Sequence, residues 1–131
     1  MDGGARGNPG PAGVGVVLVD DSGAEIDRAN DYIGETTNNV AEYRALLLGL
    51  DRARASGVRE LEIVNDSELV ARQLTGQYRV KKEELRILHA QTRQALEGFD
   101  RWSIRSVPRA KNAVADALVN EAIDARASTV G

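Results

Sequence analysis

A polar segment that leads directly into an apolar one, over residues 36–50, constrains the fold of this chain more than any other stretch. The letters TTNN at positions 36–39 supply side-chain oxygens that can accept hydrogen bonds from the free N–H groups of a helix start. The apolar run that follows, ended by Ser56-Gly57, predicts a helix over residues 39–55. Glu42 lies three positions after Asn39, a spacing that favours a capping box in which Glu42 bonds the Asn39 N–H. The alternative is that Glu42 belongs to a metal-binding cluster of carboxylates.

Composition limits the chain to one globular domain without cysteine chemistry. The 131 residues fit a single compact domain, and the apolar fraction of 42% and charged fraction of 28% are ordinary for one. The absence of cysteine excludes disulfides, thiolate zinc sites and cysteine nucleophiles. The longest apolar run, residues 45–50, is too short to cross a bilayer, and no segment resembles a signal peptide. We therefore expect a cytoplasmic protein with no membrane partner.

Charge is distributed unevenly along the chain. The formal net charge of −3 argues mildly against nucleic-acid binding, for which a basic domain is the usual signature. Two local basic clusters nevertheless stand out against scattered acids, and local patches can serve where net charge does not. They are Arg79, Lys81, Lys82 and Arg86, and Arg101, Arg105, Arg109 and Lys111.

The remaining elements follow from periodicity and turn signals. Residues 2–13 are rich in glycine and fit either a turn between strands or a loop that approaches a ligand closely. Strands are predicted over residues 14–19 and 24–33 as a hairpin, and over 61–65 and 102–107. Helices are predicted over residues 67–74, 83–97 and 112–126, in addition to 39–55. The strand–helix–strand order suggests a parallel pair, whose sites gather at the carboxyl ends of its strands.

Four acids occupy positions that packing does not require: Asp2, Glu42, Asp66 and Asp116. Asp66 falls at the end of a predicted strand, and Asp116 lies near the apolar edge of the last helix. Taken singly, each has an ordinary explanation as a cap, a turn residue or a surface residue. Their common pattern is what separates the two interpretations of Glu42.

Five runs, in this order and spacing, resemble the type 1 ribonuclease H family: DGGARGNPGPAG, TTNNVAEYRALLLGL, NDSELVARQLTG, YRVK and VPRAKNAVADALVNEA. The resemblance implies an α/β fold with a mixed five-stranded sheet of order 3-2-1-4-5 and helices on both faces. It covers nearly the whole chain, so we expect one domain over residues 1–126 and a frayed tail over 127–131. The implied activity is hydrolysis of the RNA strand of RNA/DNA hybrids, leaving 3′-hydroxyl and 5′-phosphate ends.

The same resemblance matches Asp2, Glu42, Asp66 and Asp116 to the four catalytic, metal-binding acids of the family. In-line cleavage of a phosphodiester needs an activated water and a stabilised leaving oxygen, which two Mg²⁺ ions about 4 Å apart can supply. Mn²⁺ is an alternative ion. We hypothesise that Asp2 bridges the two ions, that Glu42 and Asp66 complete opposite sides, and that Asp116 holds the ion on the water side.

Further residues match substrate-binding positions of the family. The positions implied to line the minor groove of the hybrid are Gly3, Gly4, Asn8, Asn38 and Asn39. Thr37 and Lys81 match positions that hold a phosphate of the DNA strand, and a lysine suits this as a point charge. The partner expected is an RNA/DNA hybrid, bound by a monomer.

The chain also departs from the family pattern. The connection between the second and third helices is short, as in a compact subgroup without the basic protrusion, and Glu35 stands where many relatives have arginine. The loop before the last helix lacks a histidine common in the family, so Arg109 or Lys111 is the expected substitute. Only Met1 precedes Asp2. Two alternatives stay open: an impaired or inactive nucleic-acid-binding domain, because of the short first strand, and, independently of that strand, another nuclease on the same fold. The extra residues of a natural upstream strand should raise stability.

Overall fold

The structure, a computed structural model, describes the backbone of residues 1–130 and the side chains of residues 1–126. In chain order the strands and helices are β1 (Asp2–Ala5), β2 (Gly10–Val19), β3 (Glu25–Thr36), α1 (Asn38–Ala55), β4 (Glu60–Asn65), α2 (Glu68–Leu74), α3 (Glu83–Leu96), β5 (Arg101–Ser106) and α4 (Ala113–Val130). A 3₁₀ turn over Arg109–Asn112 precedes α4. The predicted helices are confirmed to within a few residues where side chains are described. The frayed tail expected over residues 127–131 lies outside the residues that the structure describes in full.

The glycine-rich segment is mostly strand rather than turn. β1 pairs antiparallel with β2 from Asp2 opposite Gly15 to Ala5 opposite Ala12, so only residues 6–9 form the turn. β2 continues into an antiparallel pair with β3. The sequence did not predict β1 or the first residues of β2, because glycine is normally a weak strand former.

The predicted single sheet of order 3-2-1-4-5 is not confirmed, because the described residues form two sheets. One is the antiparallel set β1-β2-β3 and the other the parallel pair β4-β5. The two sheets are joined where the amino group of Met1 donates a hydrogen bond of 2.9 Å to the carbonyl of Val64. β1 is thus a neighbour of β4, but Asp2 begins the strand and leaves Met1 alone to make the contact.

Helices cover both faces of the antiparallel sheet, as two neighbouring glycines show. A Cβ atom on Gly3 would lie 2.1 Å from the carbonyl oxygen of Ala41 in α1, whereas one on Gly4 would meet Val119 of α4 at 3.9 Å. Consecutive residues of a strand point to opposite faces. The expected α/β layering is therefore present, with α1 on one face of β1 and α4 on the other.

The main apolar core lies on the α1 side. Tyr43, Leu46 and Leu50 of α1 pack with Ile63 of β4 and with buried side chains of α2 and α3. Nothing helical separates α2 from α3 over the described residues 75–82, which agrees with the short connection predicted there. None of the helices in the described part of the chain has the length and apolar character that a membrane span requires.

Candidate active site

Glu42 points away from the start of its own helix and toward β1. The cap of α1 is Thr37, whose side-chain oxygen accepts a hydrogen bond of 3.3 Å from the N–H of Val40. The Oε1 atom of Glu42 accepts a hydrogen bond of 3.1 Å from the N–H of Gly3. The capping box that the spacing to Asn39 favoured by itself is therefore absent, because with Thr37 as the cap Glu42 is too far along the helix to bond the N–H of the cap residue. Glu42 instead turns toward β1, as its match to the family's acids predicted.

Three carboxylates converge where β1, α1 and β4 meet. Asp2 begins β1, Glu42 lies on α1, and Asp66 follows the last residue of β4. One oxygen atom from each lies within 4.8 Å of the other two. Asp2 and Glu42 are only 3% and 5% exposed, and Asp66 is half-buried. The structure thus brings together three of the four acids predicted from the sequence.

Burial among other acids opposes ionisation of this cluster. Burial is the largest cause of the rise in the pKa of Asp2 from 3.8 to about 6. The negative charge of Asp66 raises this pKa further, whereas the hydrogen bond with Glu42 lowers it. The pKa of Glu42 is raised well above its usual value, first by burial and then by its hydrogen bond with Asp2. Both pKa values are therefore raised by burial of neighbouring acids in one small volume. A nearby cation would reverse both shifts.

The donor set fits a divalent cation that prefers oxygen ligands. All three side chains offer carboxylate oxygens, which suit a hard ion such as Mg²⁺. Within the described part of the chain, the buried Oε2 atom of Glu42 has no hydrogen-bond partner. An unpaired buried acceptor beside two other carboxylates is a site that a metal ion would satisfy.

Asp116 lies at the edge of this cluster rather than within it. Its side chain, on the first turn of α4, is 31% exposed, and its Oδ1 atom lies 3.7 Å from the guanidinium of Arg109. It is nevertheless close enough to Asp2 to contribute to the raised pKa of that residue. Arg109 itself is exposed, with 78% of its side chain accessible. The fourth predicted acid and the predicted basic substitute therefore lie together beside Asp2.

Known proteins share both the sequence and this architecture. The sequence model of a family described as reverse transcriptase-like matches residues 1–122. Ribonuclease HI of Halobacterium salinarum is 50% identical over 124 residues, which make up 95% of this chain and 62% of that protein. The crystal structure of RNase H1 from the same halophilic archaeon superposes with a TM-score of 0.92 at 50% identity, covering 94% of this chain and 93% of that one. The chain belongs to the type 1 ribonuclease H family.

A second ribonuclease H structure carries a nucleic acid. LC11-RNase H1, in complex with an RNA/DNA hybrid, is 47% identical with a TM-score of 0.91, and the match covers 95% of this chain and 94% of that one. By contrast, this chain spans less than two thirds of the length of the Halobacterium Ribonuclease HI.

The polar rim of this ribonuclease H fold is braced by its own asparagines. The Oδ1 atom of Asn38 accepts a hydrogen bond of 2.8 Å from the N–H of Ala5, and the N–H of Asn38 donates one of 3.1 Å to the Oδ1 atom of Asn8. These bonds fix the start of α1 to the turn between β1 and β2. Asn8 and Asn38 are exposed, and Gly4 is half-buried. The predicted substrate residues at this end therefore form one connected surface next to the acids, although Gly3 is buried beneath it.

Lys81, which was predicted to contact a phosphate of the DNA strand, lines an open cavity of about 490 Å³ whose lining does not include the three acids. Asn39 lines the same cavity, together with Tyr78, Arg79 and Lys82. Lys81 is exposed, as are the two basic residues that flank it. The cavity connects the start of α1 to the basic segment before α3, so a backbone phosphate bound there would meet several positive charges.

One polar residue of the site escaped the sequence analysis. Asn65, the last residue of β4, is completely buried directly before Asp66. Its burial could have been inferred from the sequence, because Asn65 lies two residues after the apolar Ile63 and so points to the same face of the strand. The sequence offered no partner that would have distinguished it from an ordinary strand end.

Proposed function

We propose that this chain is an endonuclease that hydrolyses the RNA strand of RNA/DNA hybrids, leaving 3′-hydroxyl and 5′-phosphate ends. The observation that carries the proposal is the convergence of Asp2, Glu42 and Asp66, whose oxygens lie within 4.8 Å of one another although they come from three elements. A ribonuclease H relative bound to an RNA/DNA hybrid shares this fold at 47% identity.

In this proposal Asp2, Glu42 and Asp66 hold Mg²⁺, with Mn²⁺ as an alternative, and Asp116 completes the set from the edge. Such ions, when bound, lower the pKa of a water nucleophile and stabilise the leaving oxygen. The protein contributes a fixed and poorly hydrated set of carboxylates. The N–H of Gly3 orients Glu42 by bonding one of its oxygens. Because both pKa values are raised, binding of a cation would be coupled to ionisation of Asp2 and Glu42.

Substrate choice is proposed to rest on the rim beside the acids. The groups concerned are Gly3, Gly4, Asn8, Asn38 and Asn39 toward the minor groove, and Thr37 and Lys81 toward a phosphate of the DNA strand. An RNA strand differs from DNA at this groove by its 2′-hydroxyl, which both donates and accepts hydrogen bonds. Arg109 is proposed to meet the substrate on the side of Asp116.

The inactive-domain alternative has no support in the geometry. All four acids are present, and three converge in spite of the short contact between β1 and β4. Because the three acids come from one chain, a single copy supplies the whole cluster, which supports our proposal that the protein works as a monomer. Its cytoplasmic location stays a prediction.

The decisive experiment is incubation of labelled RNA/DNA hybrid, duplex DNA and duplex RNA with the protein and Mg²⁺ or Mn²⁺. We expect cleavage of the RNA strand of the hybrid alone, with 5′-phosphate products. The control is Asp66→Asn, which removes one carboxylate charge with little change in shape. Cleavage of duplex DNA at a comparable rate would instead identify another nuclease on the same fold.

A further inference from the structure

Asn65 lies on the side of β4 that faces α1. Ile63 packs into the core with Tyr43 and Leu46 of α1, and residues two apart in a strand point to the same face. The Asn65 side chain is therefore directed toward the helix that carries Glu42. It is 0% exposed, and the next residue, Asp66, belongs to the same carboxylate cluster as Glu42.

The polar atoms of this side chain have nothing to bond. Among the described residues, three buried side-chain atoms lack a hydrogen-bond partner: Asn65 Oδ1, Asn65 Nδ2 and Glu42 Oε2. An amide buried without partners is destabilising, and an apolar residue of similar shape would avoid the penalty. Packing alone thus gives no reason for an asparagine at the end of β4.

The three atoms are complementary to a single water molecule. Asn65 Oδ1 and Glu42 Oε2 are acceptors, whereas Asn65 Nδ2 is a donor. A water has two hydrogens to donate and can accept at least one bond, and buried waters typically make about three such bonds to otherwise unpaired groups. The two residues are neighbours at the site, since Asp66, which follows Asn65, has a carboxylate oxygen within 4.8 Å of one from Glu42. One water between them would pair all three atoms.

We propose that Asn65 and Glu42 share a buried water, and that Asn65 is thereby a positioning residue for the metal site. Through this water, Asn65 would hold the Oε2 atom of Glu42, while the N–H of Gly3 holds the Oε1 atom. Glu42 would then be fixed at both oxygens before a cation arrives. The inference deepens the proposed function, since it rests on the three acids being metal ligands.

The test is Asn65→Leu, which keeps the approximate volume and removes both polar atoms. Binding of Mg²⁺ and of Mn²⁺ alone, measured by calorimetry without substrate, should weaken about tenfold, as is typical when a group that orients a metal ligand is lost. The melting temperature of the metal-free protein should change little, because an apolar side chain of similar volume replaces the buried amide and its hydrogen bonds. Asn65→Thr, which retains a hydroxyl in a residue suited to a strand, should recover most of the affinity.

The matched control is Thr92→Val on α3, which carries none of the three acids. Thr92 is fully buried and bonds the carbonyl of Leu88 in its own helix, so its loss should leave metal affinity unchanged. Metal affinity within twofold of the parent protein in Asn65→Leu would overturn the proposal. If that variant does not fold, a high-resolution crystal structure of the parent protein decides: an ordered water that bonds both Asn65 and Glu42 supports the proposal, and its absence refutes it. Metal affinity and melting temperature are both measured without substrate, so they test the role of Asn65 alone. Failure of the parent protein to cleave the hybrid would overturn the proposed function instead.

Discussion

Replacement of Gly3 by alanine should separate β1 from α1 and damage both stability and metal binding. The new Cβ atom would lie 2.1 Å from the carbonyl oxygen of Ala41, so the strand must retreat by about 1.3 Å to reach the 3.4 Å at which ordinary contact begins. That movement also stretches the 3.1 Å hydrogen bond from the Gly3 N–H to Glu42. Overpacking of this kind costs about 1–3 kcal/mol, and the loss of a hydrogen bond to a buried carboxyl adds about 1–3 kcal/mol.

We expect a loss of about 3 kcal/mol in the free energy of unfolding. For a chain of this length this corresponds to a fall of roughly 12 °C in melting temperature, at about 4 °C for each kcal/mol. Thermal unfolding without metal is the measurement, and Mg²⁺ titration should show weaker binding, because Asp2 moves together with the strand.

The control for this prediction is the next residue in the same strand. A Cβ atom on Gly4 would meet only Val119, at 3.9 Å, which is an ordinary contact. Gly4→Ala should therefore shift the melting temperature by no more than about 2 °C, since the strand has room for the methyl group. Equal melting temperatures for the Gly3 and Gly4 variants would refute the close approach of β1 to α1.

Three further predictions concern the site. Asp66→Asn should abolish hydrolysis and leave hybrid binding largely intact, measured by gel cleavage and by fluorescence anisotropy; full activity in this variant would remove Asp66 from the catalytic set. Because burial raises the pKa of Asp2 to about 6, Mg²⁺ affinity should fall about tenfold between pH 7 and pH 5 as that carboxylate takes up a proton. The metal-free protein should show the opposite trend in its free energy of unfolding: the raised pKa of Asp2 stabilises the folded state below about pH 4, and this stabilisation is lost as the pH rises through about 6. A metal affinity that does not change with pH would contradict the raised pKa. Lys81→Ala should weaken hybrid binding and reduce the slope of log affinity against log salt by about 1, whereas an unchanged slope would place this lysine away from any phosphate.

The sequence was informative where a signal is local. The polar segment over residues 36–39 and the apolar run after it located α1, although the cap is Thr37 rather than Asn39. The position of Asp66 at a strand end followed from β4 alone. Local spacing alone would have given the wrong direction for the Glu42 side chain, because it favoured a cap on Asn39. The family resemblance, which uses the whole chain, predicted that Glu42 joins the other acids, and the hydrogen bond from the Gly3 N–H shows how the carboxylate meets β1.

Nonlocal features were harder to predict. The register that places Asp2 opposite Gly15 depends on pairing within a glycine-rich segment, where strand propensity is low. The burial of Asn65 likewise depends on α1 covering the end of β4. Motif resemblance supplied the four acids as a set, but it did not indicate that Asp116 would lie at the edge with Arg109.

The contact between Met1 and Val64 has a mechanical consequence. Asp2 belongs to the antiparallel sheet and Asp66 follows the parallel one, so the carboxylate cluster spans the boundary between the two sheets, where the described residues show the hydrogen bond from the Met1 amino group to Val64. A cation ligated by both residues would add a direct link between the two sheets. Amide hydrogens of β1 should therefore exchange with solvent much more slowly in the metal-loaded protein than in the metal-free one, while those of β2 and β3 change little.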